Sequence, residues 1–459
     1  MLEKGKIYKF EIIDVGINFE GIAKADDGLT VFIPGTLNNE VVNAKVIKVN
    51  KSYALAEVEE YITKSNARCD EDCNSYSLCG GCAARHMDYD KTLDIKLSNT
   101  KSTLKKQDVD TTKIDSIYGM GNPYYYRNKL QYPVRYLNGK TVMGMFAKST
   151  HDIVQNEECL IQDKITHEVA HSLFKLIVDN GFIGYDEKTC AGDIRNIMVR
   201  RGTHTDEIMC VVVINNKKLV NDTRWNKIIT QITEEYAEIC SFILNINEKN
   251  TNVILSDDNI CIYGKEYITD KIGEYTFKIT ADSFFQVNTI QAEVLYSVLK
   301  EKLELDKAKN LLELYSGVGS IGIFLSDCVK DVYSVEIVES ATEAAKENAR
   351  INNVNNIINV NGDATKETLN LVKEGKFFDY IVVDPPRKGL DLEGIELILK
   401  LKPSKIGYVS CNAATLARDL KLLCTDNYDI QSIDLVDMFP WTHHVECCSV
   451  LKLKKSTEI

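Results

Sequence analysis

The chain has 459 residues, enough for about three domains, and 44% of them are hydrophobic, which is ample material for buried cores. A formal charge of −12 argues against indiscriminate nucleic-acid binding but not against a local basic face. No apolar run is long enough to span a bilayer, Glu3, Lys4 and Lys6 stand where an apolar leader would begin, and fourteen cysteines without a secretion signal predict a reducing, cytoplasmic setting with thiols used for metal or catalysis.

Residues 1–60 read as five short strands, KIYKFEIIDV, INFEGIAKA, LTVFIP, EVVNAKVIKVN and YALAEVEEYI, with turns at Asp26-Asp27-Gly28, Pro34-Gly35 and Asn38-Asn39. That pattern predicts a small barrel of the oligonucleotide-binding kind, and it equally suits a plain structural β-domain. Cys69, Cys73, Cys79 and Cys82 follow in CDEDCNSYSLCGGC, where Gly80-Gly81 lets the chain bend and neighbouring sulfurs converge. Zinc and an iron–sulfur cluster both fit such a run. Any three of the four could act with a ligand from elsewhere, and Cys159 in QNEECLIQ is a candidate.

Residues 119–150 contain Arg127, Lys129, Arg135, Lys140 and Lys148 and no acid, interleaved with Tyr124, Tyr125, Tyr126, Tyr132, Tyr136 and Phe146. Cations for phosphates and rings for bases make a single-strand RNA surface, and Arg195, Arg200 and Arg201 extend it. The bland alternative is a sheet whose aromatics pack internally.

From about residue 290 strands and helices alternate. Apolar segments at 310–316, 331–337, 356–361, 378–384 and 405–410 are separated by helical stretches, and two more strands follow near 430–438 and 445–453. This predicts an α/β, doubly wound parallel sheet with an antiparallel ending. Ligands in such sheets bind at the carboxyl ends of the strands. Gly317 and Gly319 fall there after the first strand, then Glu336, Asp363, Asp384 and Cys411 after the next four. Each has a bland reading: Asp363 suits a helix N-cap, Asp384 a loop cap, Glu336 a solvated strand end. Cys411 lies between a strand and a helix, where a helix N-terminus would lower the thiol's pKa. Glu446 stands beside an apolar strand in MFPWTHHVECC, with His443 and His444 read as packing or turn residues.

Together these motifs resemble the S-adenosylmethionine-dependent RNA uracil-5-methyltransferases. ELYSGVGSIGIFL, DPPRKGL, SCNAATLARDL and DMFPWTHHVE match in order and spacing, FFQVNTIQ looks like the family's entry motif, and the likeness covers essentially the whole chain. The resemblance implies a TRAM-like RNA-binding β-barrel at 1–60, a central α+β domain with the cysteine cluster and basic/aromatic face at 61–285, and a Rossmann-like methyltransferase domain at 286–459. It implies that Gln286, Tyr315, Glu336 and Asp384 contact S-adenosylmethionine, with Gly317, Gly319 and Asp363 nearby. Cys411 is then the nucleophile and Glu446 the base. Cys73, Cys79, Cys82 and Cys159 would hold a 4Fe-4S cluster, leaving Cys69 outside it. Barrel and cluster together imply 23S ribosomal RNA as the partner, with no obligate protein partner and no membrane.

The implied chemistry explains the residue types. Uracil C5 is a poor nucleophile until a thiolate adds at C6, and the C5 proton must later leave to a base. The alternatives are a transfer-RNA enzyme of the same chemistry and a non-catalytic RNA-binding iron–sulfur protein. An amino-group methyltransferase would place an aromatic residue after Asp-Pro-Pro, where this chain has Arg387.

Overall fold

The computed structural model describes residues 1–455. Five strands, Ile7–Val15, Glu20–Lys24, Thr30–Pro34, Val41–Val49 and Tyr53–Thr63, close into a barrel in the order first, second, third, fifth, fourth. Strict alternation turns Phe10, Ile12, Val31, Ile33, Val42, Ala44, Val46, Ala54 and Ala56 inward as its core. Gly21 is needed there, because a Cβ would lie 1.8 Å from Thr36 Oγ1.

The central region is built on a six-stranded sheet in the order Asn259–Gly264, Ile239–Ile246, Ile208–Ile214, Ile194–Arg201, Lys129–Leu137, Lys140–Met143. Helices Lys164–Asp179 and Arg224–Glu235 bury Leu173, Ile177, Trp225 and Ile232 against one face. The other face packs Met198, Met209, Val211 and Ile243 into one continuous core with Leu295, Leu299, Ile321 and Leu325 of the C-terminal region.

That C-terminal region holds an eight-stranded sheet in the order Ile357–Asn361, Asp331–Glu336, Asn310–Leu314, Tyr380–Val383, Lys405–Ser410, Glu446–Leu453, Tyr428–Val436, Ile114–Tyr118. The first five strands are parallel, and their central members are buried throughout, as sheets covered on both faces require. Glu446–Leu453 runs antiparallel to both neighbours. The last strand departs from the sequence reading: Ile114–Tyr118, from the 61–285 stretch, pairs parallel with Tyr428–Val436. Helix Tyr89–Lys105, from the same stretch, packs on helix Ala413–Cys424.

Candidate active site

The strand order reverses beside Asn310–Leu314: successive strands go one way to Ile357–Asn361, then Tyr380–Val383 is added on the other side. A crevice opens at that reversal above the carboxyl ends of the strands. Tyr315, the first residue past the strand, takes a left-handed conformation (φ 64°), as do Gly317 (φ 55°) and Gly319 (φ 77°). Such a conformation is costly for tyrosine, and it turns the chain sharply into helix Ser320–Leu325. Beneath the turn lies buried Glu313, which accepts hydrogen bonds from Gly322 N (2.9 Å) and Ser334 Oγ (2.5 Å). Burial pushes its carboxyl up to about 7. Glu336 closes the next strand and accepts from Gly317 N (2.9 Å) and Val338 N (2.8 Å), so two amides fix its carboxylate at the rim.

Gln286 sits on the wall opposite. It is buried, and its carbonyl accepts from Asn128 Nδ2 (3.1 Å), which also donates to Thr289 Oγ1 (2.9 Å). Below the same loop is a fully buried guanidinium, Arg200, which donates to the carbonyls of Thr280 (3.0 Å) and Ser283 (3.1 Å). Asn128 was not a predicted site residue, and Arg200, read in the sequence as part of an RNA face, instead holds loop backbone from inside the protein.

The sheet register brings Cys411 and Glu446 together. Ser410 lies opposite Cys447 on the antiparallel neighbour, so one step further sets Cys411 beside Glu446. A cavity of about 770 Å³ is lined by Gln286, Tyr315, Gly317, Glu336, Asp384, Cys411 and Glu446. Gly319 and Asp363 are not on its wall. Gly319 caps helix Ser320–Leu325, and Asp363 caps helix Ala364–Lys373 by accepting from Lys366 N (3.0 Å), its bland reading. A second cavity of about 250 Å³ meets Cys411 from the other side, between Arg387, His443, helix residues Lys96 and Asn99, and the barrel turn at Ile17, Asn18 and Phe19.

Burial dominates the electrostatics. Asp384 is pushed up to about 7 by burial, and Glu446 to about 8 by burial and then by Asp384, against a smaller pull from Arg387. Among the described residues, no hydrogen bond reaches either carboxylate. The expectation that a helix N-terminus lowers the Cys411 thiol is overturned. Burial raises it, Glu446 and Asp384 raise it further, and Arg387 opposes them. The helix begins only at Ala413, with Asn412 as its cap. His444, on both cavity walls, is held neutral by burial and by His443, down to about 4.

Residues 88–455 match the tRNA (Uracil-5-)-methyltransferase family, and residues 2–58 match the TRAM domain. The chain belongs to the RNA uracil-5-methyltransferase family. It is 40% identical over 457 residues to an uncharacterized RNA methyltransferase of Oceanobacillus iheyensis, covering 99% of this chain and 98% of that one. A Clostridium tetani RNA methyltransferase is 40% identical over 445 residues, covering 97% and 96%. Among solved structures, the Pyrococcus abyssi tRNA (uracil-54, C5)-methyltransferase in complex with S-adenosyl-L-homocysteine superposes with a TM-score of 0.77. It is 26% identical, across 97% of this chain and all of that one.

The methyltransferase's cysteines near the loop differ in their surroundings. Cys82 is partly buried close to Cys159, Cys79 and Cys73, whereas the Cys69 thiol points to the Arg85 carbonyl (3.6 Å). Gly80 and Gly81 close the loop: a Cβ on Gly80 would lie 3.1 Å from Phe146 O, and one on Gly81 3.2 Å from Met145 Cε. Among the described residues, no three or more His, Cys, Asp or Glu side chains are arranged to hold a single metal ion.

The predicted basic and aromatic face is largely internal. Tyr126 and Tyr132 are buried, Arg195 and Arg200 are buried, and Arg135 pairs with Glu187 (2.8 Å). Burial lowers the pKa of both Arg127 and Lys129. Only Tyr136, Lys140 and Lys148 of that set are exposed. The aromatics pack the sheet, and the cations serve backbone carbonyls and ion pairs. No described helix is long and apolar enough to cross a membrane.

Proposed function

We propose that this enzyme transfers a methyl group from S-adenosylmethionine to C5 of a uridine in 23S ribosomal RNA, through a covalent Cys411 adduct, in the cytoplasm. The observation that carries the proposal is the cross-strand placement of Cys411 beside Glu446 on the wall of a cavity that also presents Gln286, Tyr315, Glu336 and Asp384. A thiol, a buried carboxyl and a nucleotide-sized crevice at the strand ends are the parts this chemistry needs.

Cys411, as its thiolate, adds to C6 of a flipped-out uracil, and the ring electrons move to O4 as an enolate, which makes C5 nucleophilic. S-adenosylmethionine, when bound, supplies the methyl group that C5 takes up. Glu446 then accepts the C5 proton, the C6–S bond breaks with its electrons returning to sulfur, and the C5–C6 double bond reforms. The carboxyl groups of Glu336, Asp384 and Glu446 line the crevice, and a bound cationic sulfonium would favour the charged forms of the two buried ones. Glu336, already held by two amides, is placed to accept ribose hydroxyls. The smaller cavity lets the nucleotide backbone leave past Arg387 and the barrel turn.

The proposal includes a 4Fe-4S cluster on Cys73, Cys79, Cys82 and Cys159. Three thiols drawn around that of Cys82, on a loop with two tightly packed glycines at its bend, support it. An all-sulfur donor set suits iron. A cluster also spreads its thiolates more widely than a single ion does. Asp363 and Gly319 act in the proposal through the cofactor turn and its helices.

Transfer RNA is the second reading. The Pyrococcus abyssi tRNA enzyme superposes along 97% of this chain, so an N-terminal barrel is not peculiar to ribosomal RNA enzymes. Incubation with S-adenosylmethionine and unmodified ribosomal or transfer RNA, followed by digestion and mass spectrometry, separates the two. 5-Methyluridine in ribosomal RNA alone is expected. Product in transfer RNA alone overturns the substrate assignment, and product in neither overturns the activity.

A further inference from the structure

Glu446 is reached through residues 437–445, which join two antiparallel strands without regular structure of their own. Among the described residues no hydrogen bond reaches the carboxylate; the Glu446 backbone opens a strand opposite Val436, and its entry into that strand is set by what holds this segment. Its first part is held by Lys96, which donates to Asp437 (2.5 Å) and to Phe439 O (3.1 Å), and its middle, nearer Glu446, by the cysteine loop. Ala83 N (2.8 Å) and Ala84 N (3.2 Å), the two amides after Cys82, both donate to the carbonyl of Trp441. Trp441 is buried, left-handed at φ 65°, and packed in a cluster with Cys82, Cys159, Tyr89 and Tyr124. Its indole N–H donates to Pro123 O (2.9 Å), and the Arg85 guanidinium lies 4.7 Å over its ring. A bulky residue keeps that backbone conformation only where its surroundings enforce it.

Cys411 has different supports. Ser410 Oγ donates to Asn412 O (3.2 Å) and Asn412 Nδ2 to Arg387 O (3.1 Å), and neither bond involves residues 437–445. Nucleophile and base share the pairing of their strands but differ in the loops that lead to them.

We propose that Trp441 is a positioning residue that transmits the conformation of the cysteine loop to Glu446, so that an ordered loop is required for release of the methylated base but not for attack on it. The inference rests on the reading of Glu446 as the base. In that step Glu446 takes the C5 proton and the C6–S electron pair returns to Cys411. When the base is misplaced, the proton stays on C5, the bond stays closed, and the enzyme stays attached to its RNA. The arrangement gives the cysteine loop a task although the chemistry has no redox step.

The test is a denaturing gel of the full-length protein with S-adenosylmethionine and ribosomal RNA, comparing wild type, Glu446→Gln, Trp441→Ala, Trp441→Phe and Cys82→Ala. Glu446→Gln is expected to accumulate the RNA-linked band. Trp441→Ala and Cys82→Ala are expected to do so as well, with kcat down about tenfold and KM for RNA within about twofold. Trp441→Phe keeps the ring but loses the indole donor, and should fall between Trp441→Ala and wild type. A simple loss of fold would instead remove the adduct, and calorimetry with S-adenosylmethionine reports that separately. Should Trp441→Ala fail to bind cofactor, Trp441→Phe decides, and a wild-type adduct level in it overturns the proposal. An adduct in Glu446→Gln with none in Trp441→Ala or Trp441→Phe also overturns it and leaves the base assignment standing. No adduct in Glu446→Gln overturns that assignment, and the proposal with it.

Discussion

Glu446 keeps its proton to about 8 in the folded chain, against 4.5 for an ordinary glutamate, because burial and Asp384 oppose its charge. Between those values the folded protein binds a proton that the unfolded chain has released. Stability therefore falls as pH rises through that window, by on the order of a few kcal/mol in all, and is fully present only below the unfolded value. Glu446→Gln removes the dependence. Its thermal midpoint should exceed that of wild type at about pH 8.5 and match it near pH 4. A midpoint difference independent of pH would contradict the raised carboxyl. Cys411→Ala should abolish turnover yet bind S-adenosylmethionine within about twofold of wild type by calorimetry, since the lost group acts on C6 and not on the cofactor. The position of Cys411 and Glu446 at the ends of apolar runs was legible in the strand pattern, while the roles proposed for them came from the family resemblance. The pKa of Cys411 was not legible, since its burial and carboxylate neighbours come from chain segments far from it.

The cofactor turn shows what an element demands beyond its own residues. Gly322 looks like the third member of a glycine fingerprint, but its role is packing: a Cβ there would lie 2.3 Å from Glu313 Oε2 and 2.9 Å from Ser334 Oγ. Gly322→Ala should destabilise the protein by about 1–3 kcal/mol, read from urea unfolding, with the loss falling on cofactor affinity as the turn shifts. An alanine variant as stable as wild type would place the constraint elsewhere. The strands of this region were readable because buried parallel strands are continuous apolar runs, as NLLEL and YIVV are. Strand Ile114–Tyr118 was not, because five residues isolated between a helix and a glycine-rich turn carry no periodicity that names their sheet. The tyrosine-rich segment misled for the opposite reason: composition shows that rings and cations are present, but not which side of a sheet they face.

At the scale of the whole molecule, polar bonds between distant residues fasten the parts together. Arg68 grips Glu40 through Nε (2.6 Å) and Nη2 (2.7 Å), and the same carboxylate accepts from the amides of Leu37 and Ser65, tying the barrel to the start of the cysteine loop. Lys96 donates to Asp437 (2.5 Å) inside the protein, across 341 residues of sequence. No local pattern announces a pair so far apart, so neither was predicted. Glu40→Ala leaves a half-buried Arg68 and two amides unpaired, and should cost about 3–5 kcal/mol of stability, with faster hydrogen exchange where barrel and body meet. Unchanged exchange there would mean that the barrel is held by other contacts. The proposed covalent route through Cys411 would bring all these parts together at one atom. The most direct measurement uses ribosomal RNA transcribed with 5-fluorouridine in place of uridine. Fluorine cannot leave C5 as a cation, so Glu446 finds no proton and the methylated adduct persists. Intact-protein mass spectrometry after incubation with S-adenosylmethionine and nuclease digestion should then show a methylated fluorouridine fragment attached to Cys411 and absent from Cys411→Ala. No adduct with RNA that the enzyme otherwise methylates, or an adduct on another residue, would contradict it.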